Sequence, residues 1–337
     1  MQDLLAILML RSYHVPCDRF IIETPGGLRL AQPSDTLYDP RNGDLSLSVV
    51  DLDITPETAA TRTNCFIVDW IREGEGVVWA DSGCHPFAAS TLLFFVPYQN
   101  VRFVPNGLVR VTRIQFHANF LCIETHHEEV GCNGVLFNNV YGLPMVELND
   151  TSAREFAELV GQIRRELADQ GLAHSEILLS YLKVLLIRAT RLKREQQHVS
   201  CESPGGRLPA VLDSLRELIE TNYLTMHAPA EYADRLFMSP KALGKIVKER
   251  LHKTLTELIR ERILKHAKWE LLHTLRPVKE IARELGYADE LYFSRLFKRA
   301  TGYSPLFFRD YETTIRGGSN LSMSLPLPSI QSTADRR

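Results

Sequence analysis

A helix-turn-helix pattern that occurs twice, about fifty residues apart, constrains the fold more than any other feature of this chain. The stretch YADRL at residues 232–236 aligns with IAREL at 281–285, at an offset of 49 residues. The stretch LGKIVK at 243–248 aligns with FSRLFK at 293–298, at an offset of 50. A repeated supersecondary unit is a far stronger signal than one isolated pattern. It predicts an all-α domain with two helix-turn-helix motifs, the second with one extra residue in its turn.

Helix-capping residues support both copies. Ser239 is a suitable N-cap and is followed by Pro240 at the first helical position. In the second copy Asp289 can cap, and Gly286 lies where the preceding helix needs a left-handed residue. Ser304-Pro305 repeats the cap-and-proline start, which predicts one further helix.

A long helix is predicted between the two copies. Thr254 and Glu257 have the spacing of a capping box, an apolar stripe follows, and Pro277 ends the pattern. A helix of about 20 residues is roughly 30 Å long, and successive major grooves on one face of B-DNA recur every ~34 Å. One rigid helix can therefore hold two recognition helices at nearly the repeat of one DNA turn.

The charge distribution also indicates a polyanionic partner for the C-terminal region. Residues 207–312 contain 19 Lys+Arg and 15 Asp+Glu, whereas residues 1–206 contain 17 and 25; the whole chain has a formal net charge of −2. A basic block on an acidic body favours contact with nucleic acid.

Residues 208–311 resemble the DNA-binding domain of the arabinose-regulator (AraC) family of bacterial transcription factors. The motifs that carry the resemblance are MSPKAL, IARELGY, YFSRLFKRATGYSP and FFR. The resemblance covers about a third of the chain and implies two helix-turn-helix motifs bound to double-stranded DNA. The chain departs from the family pattern at Phe237 and His252, where glycine is usual, and at Gly244, where a polar base-reading residue is common.

The two recognition helices present different side chains opposite their apolar faces. Lysine or arginine can bind guanine and glutamate can accept from cytosine, although lysines on a helix face also contact phosphate or remain solvated. We expect phosphate contacts from Lys248 and Lys298 and base contacts from Lys245 and Arg295. The full set of candidate DNA-binding residues is Lys241, Gly244, Lys245, Lys248, Glu290, Leu291, Ser294, Arg295 and Lys298.

Residues 1–150 are predicted to contain a small β-barrel. From Cys65 onward, short runs rich in Val, Ile, Phe and Trp alternate with glycine turns, which is typical of an antiparallel barrel or sandwich. Its strands, glycine turn and Pro-Tyr-Gln corner (97–99) resemble the cupin-like sensor domain of many members of the same family. Five aromatic residues are candidates for a pocket lining, although at strand spacing they are more often core: Trp70, Trp79, Phe94, Phe95 and Phe103.

Residues 151–195 have helical apolar spacing with a break near Gly171, which predicts a helical hairpin. Its second helix is apolar over more than one stripe, so two interpretations stay open: packing against the barrel, or a homodimer contact. The dimer interpretation assigns the contact to Leu178, Leu182, Leu185 and Leu186. Residues 196–206 are predicted to be a linker, residues 207–312 the DNA-binding domain, and residues 313–337 a disordered tail.

Three functions fit these patterns. The first is a transcriptional regulator controlled by a small-molecule effector inside the barrel. The second is a DNA-binding regulator without an effector, whose barrel dimerises or contacts RNA polymerase. The third, a metal-cupin enzyme, lacks a His-x-His motif, and adjacent histidines such as His126-His127 beside Glu128-Glu129 point to opposite faces of a strand. We therefore expect no enzymatic activity, no metal and no cofactor.

The fold class predicted from the sequence is an α+β multidomain chain: a cupin-like β-barrel with a helical hairpin, then an all-α domain. No apolar run is long enough to cross a membrane, and Asp3 precedes the first apolar run, where a signal peptide would be basic. The six cysteines form no CxxC pair. These features predict a cytoplasmic protein with free thiols.

Overall fold

The computed structural model describes residues 35–39, 43–123, 135–137, 140–201 and 207–316. Strands fill the N-terminal part of this region and helices the C-terminal part, which confirms the predicted α+β class. No helix of the described residues is both long and apolar enough to cross a membrane.

The N-terminal strands form two antiparallel sheets that face each other, and this pair of sheets is called the barrel below. The larger sheet has the order β1-β2-β8-β3-β6-β9 and the smaller one the order β5-β4-β7. The strands are β1 (Thr36–Tyr38), β2 (Leu45–Ile54), β3 (Phe66–Glu73), β4 (Gly76–Ala80), β5 (Gly83–Phe87), β6 (Thr91–Phe95), β7 (Val101–Pro105), β8 (Val109–Phe116) and β9 (Met145–Glu147).

The central strand β3 shows why the sequence is so apolar here. Successive side chains of a strand point to opposite faces, and both faces of β3 are buried. Ile67 and Ile71 pack in the core between the two sheets. Phe66, Val68 and Trp70 pack in a second core on the outer face of the larger sheet.

That second core is completed by the predicted helical hairpin, α1 (Asp150–Ala168) and α2 (His174–Cys201). Asn149 caps α1 by accepting a hydrogen bond from the backbone N–H of Ser152, at 2.8 Å. The hairpin buries its wide apolar face against the barrel of the same chain. Four leucines of α2 have no exposed surface and belong to this core: Leu178, Leu182, Leu185 and Leu186. The expectation that these four residues form a dimer contact is therefore wrong, because they are buried within one chain.

The boundary predicted at residue 196 also needs correction. Helix α2 continues to Cys201, so the first six residues of the predicted linker 196–206 are helical. Gln196 bonds to both backbone groups of Glu147 on the edge strand β9, accepting from its N–H at 3.3 Å and donating to its C=O at 2.6 Å. This part of the segment thus covers a sheet edge, while residues 202–206 lie outside the described part.

Seven helices make up the described C-terminal domain: α3 (Arg207–Asn222), α4 (Pro229–Arg235), α5 (Pro240–Leu251), α6 (Leu255–His273), α7 (Val278–Glu284), α8 (Glu290–Thr301) and α9 (Pro305–Arg316). They share one core, which also takes in Tyr98 and Val140 from the N-terminal region. Helix α9 includes residues 313–316, so these four residues of the predicted disordered tail 313–337 are helical; residues 317–337 lie outside the described residues.

Candidate nucleic-acid interface

Helices α4–α5 and α7–α8 form the two predicted helix-turn-helix motifs. The side chain of Ser239 accepts from the backbone N–H of Ala242 at 3.2 Å and caps α5. Asp289 accepts from the N–H of Leu291 at 2.8 Å and caps α8. Both caps were predicted from the sequence, and they fix where each recognition helix begins.

The inward faces of the two recognition helices anchor them in the shared core. Leu243 and Val247 of α5 are fully buried, as are Phe293 and Phe297 of α8. Because the core takes one face of each helix, the opposite face is available to a partner.

On α5 that outer face is basic. Lys241, Lys245 and Lys248 are exposed, and a Cβ placed at Gly244 would have no atom within 4 Å, so the middle of this face is open. Lys245 Nζ lies 3.8 Å from Glu249 Oε1, but both side chains are more than half exposed. An exposed pair of this kind contributes little, so Lys245 can turn toward a phosphate or a base.

On α8 the outer face is mixed in character. Leu291, Arg295 and Lys298 are exposed, whereas Glu290 and Ser294 are partly buried. Arg295 Nη2 lies 3.9 Å from Asp289 Oδ2, again between side chains more than half exposed. A guanidinium, a carboxylate and a hydroxyl on one face can distinguish base edges. Three lysines on one helix face do so poorly, because each ammonium group is a point charge on a flexible chain.

The connecting helix α6 sets the distance between the motifs. Thr254 and Glu257 form the predicted capping box, with Thr254 N–H donating to Glu257 Oε2 at 2.7 Å. The 19 residues of α6 give a rigid rod of about 28 Å. Six residues of its predicted apolar stripe are buried: Leu255, Leu258, Ile259, Ile263, Ala267 and Leu271. Leu272, the last residue of that stripe, is partly buried.

A cluster of ionisable groups joins α6 to the second motif. The ligand atoms of His266, Glu270 and Glu284 lie within 4.8 Å of one another, a grouping that could hold a metal ion. However, the Arg276 guanidinium donates to the carboxylates of both Glu270 and Glu284. The arginine already supplies the positive charge that these carboxylates require, so the cluster acts as an ion network that fixes α7 against α6.

A cavity of about 350 Å³ separates the second recognition helix from the barrel. Arg295 and Arg299 of α8 and Arg260 of α6 line it on one side. The barrel closes the other side with four residues, Arg62, Asp81, Ser82 and Asn100. Burial raises the pKa of the Asp81 carboxyl, and the backbone hydrogen bond from Asn100 only partly offsets it. Sequence reasoning missed this neighbourhood because it depends on how the two domains dock, for which no local pattern exists.

The candidate pocket aromatics lie mostly in the cores. Trp70 and Phe94 pack under the hairpin, Phe95 and Phe103 pack between the sheets, and Trp79 is 37% exposed. The cluster His126-His127-Glu128-Glu129 lies outside the described residues.

A buried ion pair lies between the two sheets of the barrel. Arg113 of β8 donates to both carboxylate oxygens of Asp69 of β3 at 2.7 Å, and both side chains are buried. Burial acts to lower the pKa of Arg113, but the neighbouring Asp69 outweighs it and the net shift is upward. The sequence offers no pattern that would pair two residues 44 positions apart.

Comparison with known proteins agrees with this geometry. A family model described as a helix-turn-helix domain matches residues 232–311. The chain is 29% identical over 155 residues to the arabinose operon regulatory protein of Salmonella typhimurium, and 29% identical over 161 residues to that of Escherichia coli K12, covering 46% of this chain in each case. It is 22% identical over 173 residues, 51% of this chain, to the HTH-type transcriptional activator RhaR of E. coli K12. The alignments span 53% and 51% of the two arabinose regulators and 60% of RhaR, so the chain matches about half the length of these relatives.

Among solved structures, ToxT from Vibrio cholerae aligns with 81% of this chain and 99% of its own length, at 14% identity and a TM-score of 0.34. The C-terminal domain of AraT, a response regulator from Geobacillus stearothermophilus, aligns with 31% of this chain and 88% of its own length, at 30% identity and a TM-score of 0.29. Neither superposition supports a conclusion about this chain, and the assignment depends on the sequence matches and the two described motifs. Residues 232–311 therefore match a helix-turn-helix domain, and over about half of its length the chain is similar to regulatory proteins of the arabinose-regulator (AraC) type.

Proposed function

We propose that the protein is a sequence-specific regulator of transcription that binds double-stranded DNA through α5 and α8, and that it is not an enzyme. The observation that carries the proposal is the pair of capped helices with exposed basic or mixed faces, joined by one rigid helix. The candidate residues from Lys241 to Lys298 named above lie on these two faces. The relatives that match it are regulatory proteins by name.

The experiment is selection of binding sites by the full chain from a random pool of duplex DNA. We expect enrichment of one sequence and an affinity for it that exceeds random DNA by about three orders of magnitude or more. A variant with Lys241, Lys245 and Arg295 all changed to alanine should lose this preference while its circular dichroism spectrum stays unchanged. Equal binding of selected and random DNA by the wild type would refute the proposal.

We propose further that the barrel receives a small-molecule effector. The support is an inter-sheet interior that contains a buried ion pair, Asp69–Arg113, which is costly to retain where an apolar pair would fold as well. A thermal-shift screen of sugars, aromatic acids and other metabolites tests this. If no compound raises the melting temperature, the alternative gains support: a regulator whose barrel only dimerises or contacts RNA polymerase.

For dimerisation, the remaining candidates are the exposed apolar residues of α2. Ile177 and Val184 are 38% and 39% exposed and lie two helical turns apart on one face. We propose that this face joins two copies of the chain. Light scattering should give a dimer mass for the wild type and a monomer mass for Val184→Glu. A monomeric wild type at high micromolar concentration would exclude this dimer contact.

Because DNA is the proposed ligand, the proposed location is the cytoplasm.

A further inference from the structure

Four arginine side chains from three parts of the chain meet at the cavity beside the second recognition helix. Arg62 lies between β2 and β3 of the barrel, Arg260 lies on α6, and Arg295 and Arg299 lie on α8. Each guanidinium is permanently charged and presents its N–H donors in a planar fork that matches the oxygens of a phosphate. Because like charges repel one another, this grouping favours an anion that binds between them.

Three of these arginines have no ion-pair or hydrogen-bond partner among the residues that the structure describes: Arg62, Arg260 and Arg299. By contrast Arg262, two residues further along α6, donates to Glu220 at 2.7 Å. The donors of the cavity arginines are therefore available to a ligand from outside the chain.

Three carboxylates also line the cavity, and each already accepts a hydrogen bond within the chain. Asp81 accepts from the backbone N–H of Asn100 at 2.9 Å. Glu257 belongs to the capping box of α6, and Glu261 accepts from Lys253 Nζ at 2.6 Å. The four guanidiniums and the Lys253 ammonium outnumber these three carboxylates by two charges, so the cavity has an excess of positive charge.

The cavity also has the size and the access that a phosphorylated ligand requires. Its volume of about 350 Å³ falls within the range of small-molecule sites, ~300–1,000 Å³. Tyr292, which lines it, is 49% exposed, and Arg295 and Arg299 are exposed as well. Arg299 follows Arg295 by about one helical turn, so the cavity lies on the flank of the helix that carries the proposed base contact. Two sources of phosphate have access to such a site: the backbone of a duplex whose groove holds α8, and a free nucleotide.

We propose that this cavity is a phosphate-binding site, and that Arg62 gives the barrel a direct part in it beside the arginines of α6 and α8. With DNA as the source of the phosphate, the inference rests on the proposed function and adds a barrel residue to the DNA contacts. With a free nucleotide as the source, the cavity is an effector site outside the interior of the barrel.

The test uses the full chain and three variants, Arg62→Ala, Arg260→Ala and Arg299→Ala, each checked for folding by circular dichroism. One arm titrates the selected duplex and a random duplex at several salt concentrations. If a backbone phosphate occupies the cavity, each substitution should weaken binding of both duplexes alike and reduce the salt slope by about one.

The other arm titrates inorganic pyrophosphate and adenosine triphosphate against the same chains by calorimetry. If a free phosphate occupies the cavity, both anions should bind the wild type, and each substitution should weaken that binding by roughly tenfold. A hydrogen bond to a charged group contributes about that factor. Because the three arginines come from three different elements, a common loss in all three variants indicates one shared ligand.

Arg110→Ala is the matched control. Arg110 is a barrel arginine whose side chain is 55% exposed and pairs with Glu73, away from the residues that line the cavity. The substitution removes the same charge from the barrel and should change neither the salt slope nor the affinity for either anion. Arg62→Lys keeps the charge without the planar fork, so it should keep the salt slope and lose part of the affinity.

A reduced salt slope without binding of the small anions supports the inference with DNA as the source, and binding of the small anions with an unchanged slope supports it with a free phosphate. If the folded Arg62→Ala chain behaves like Arg110→Ala in both arms, the inference is overturned. If the wild type binds no duplex, the proposed function is wrong. The arm with pyrophosphate and adenosine triphosphate then decides the inference alone, and a wild type that binds neither anion overturns it.

Discussion

His85 of β5 illustrates how one side chain can report on the contact between the two domains. It is 1% exposed, and neither ring nitrogen has a hydrogen-bond partner among the described residues. Burial, then the charges of Lys253 and His252, lower its pKa from 6.5 to about 4. The imidazole ring lies 6.0 Å from that of His252, at the turn between α5 and α6. Protonation would therefore place a third positive group at this contact.

We predict that acid destabilises the protein through His85. Because its folded pKa is depressed, this stabilisation is complete above pH 6.5 and is lost as the pH falls from 6.5 toward about 4. At about 1.4 kcal/mol per pKa unit, the loss is on the order of 3 kcal/mol. Denaturant unfolding of wild type and His85→Leu at several pH values measures it, and the variant should have a flatter profile. His273→Gln, a change at an exposed histidine, supplies the control variant. Parallel profiles for wild type and His85→Leu would contradict the prediction.

Arg295 and Lys248 should contribute to DNA binding in different ways, Arg295 through a base contact and Lys248 through a phosphate contact. We expect Arg295→Ala to cost roughly 1–3 kcal/mol at the selected site and to relax preference at one or two base positions. Lys248→Ala should weaken all sequences about equally and reduce the salt slope by about one, because one phosphate contact is lost. Titrations on selected and random duplexes at several salt concentrations measure both. If Arg295→Ala weakens both duplexes equally and Lys248→Ala changes base preference, the roles are reversed.

At the scale of elements, the two motifs have a left-handed backbone at the same two positions. The second motif has glycine at both positions, and the first has other residues. Phe237 and Gly286, 49 residues apart, end the first helices of the two motifs with φ of +54° and +83°. His252 and Gly302, 50 residues apart, end the recognition helices with φ of +56° and +89°. The offsets are those read from the sequence repeat. The repeat thus fixes the backbone, and the first copy carries left-handed residues that glycine would suit better.

We predict that Phe237→Gly and His252→Gly stabilise the chain. The left-handed conformation costs a non-glycine residue roughly 1–2 kcal/mol, and the added flexibility of glycine returns part of that, so the net gain is about 0.5–1 kcal/mol each. Phe237 is 98% exposed, so little packing is lost. Thermal unfolding should show a higher midpoint.

The reciprocal change, Gly286→Ala, should destabilise by about 2 kcal/mol or more, because its Cβ would lie 2.6 Å from the Leu224 carbonyl oxygen. Gly302→Ala should cost less, since its nearest neighbour is the flexible end of Arg62. Lower midpoints for Phe237→Gly and His252→Gly would contradict the first of these predictions, because the native side chains would then stabilise the chain by more than their left-handed backbone costs.

The sequence predicted elements well where local chemistry decides them. Caps at Ser239, Thr254 and Asp289, and the buried stripe of α6, follow from hydrogen bonding and helical period alone. It failed for Leu178 and its neighbours, because an apolar helix face is the same whether it meets a barrel or a second chain. It also ended α2 too early, since polar residues such as Gln196 can extend a helix when a strand edge lies beside it.

At the scale of the whole molecule, the arrangement of the domains could not be predicted from any local pattern. The joining contacts link residues far apart in the chain: Tyr98 with Glu312, Lys268 with Pro97, and Tyr141 with Glu220. Each uses a common polar or aromatic residue with no distinctive spacing. What could be predicted is the relation between the two motifs, because α6 is a single capped helix whose length follows from the number of its residues.

That length leads to a prediction about DNA spacing. With the motifs fixed about 28 Å apart along α6, α5 and α8 should enter adjacent major grooves on one face, with centres about 10 base pairs apart. Hydroxyl-radical footprinting should show two protected segments on that face. Inserting five base pairs between the segments turns one groove to the opposite face and should reduce binding to the level of random DNA.

Inserting ten base pairs restores the face but adds ~34 Å. If the connection between the motifs were flexible, the chain would bind the duplex with ten inserted base pairs again. Because α6 is rigid, we expect that its affinity for this duplex stays at the level of random DNA. An unaltered duplex of the same total length, with ten base pairs added outside the site, is the control and should bind like the original. Recovery at ten base pairs would show that the motifs separate when they bind, and a footprint confined to one groove would show that only one of them reads DNA.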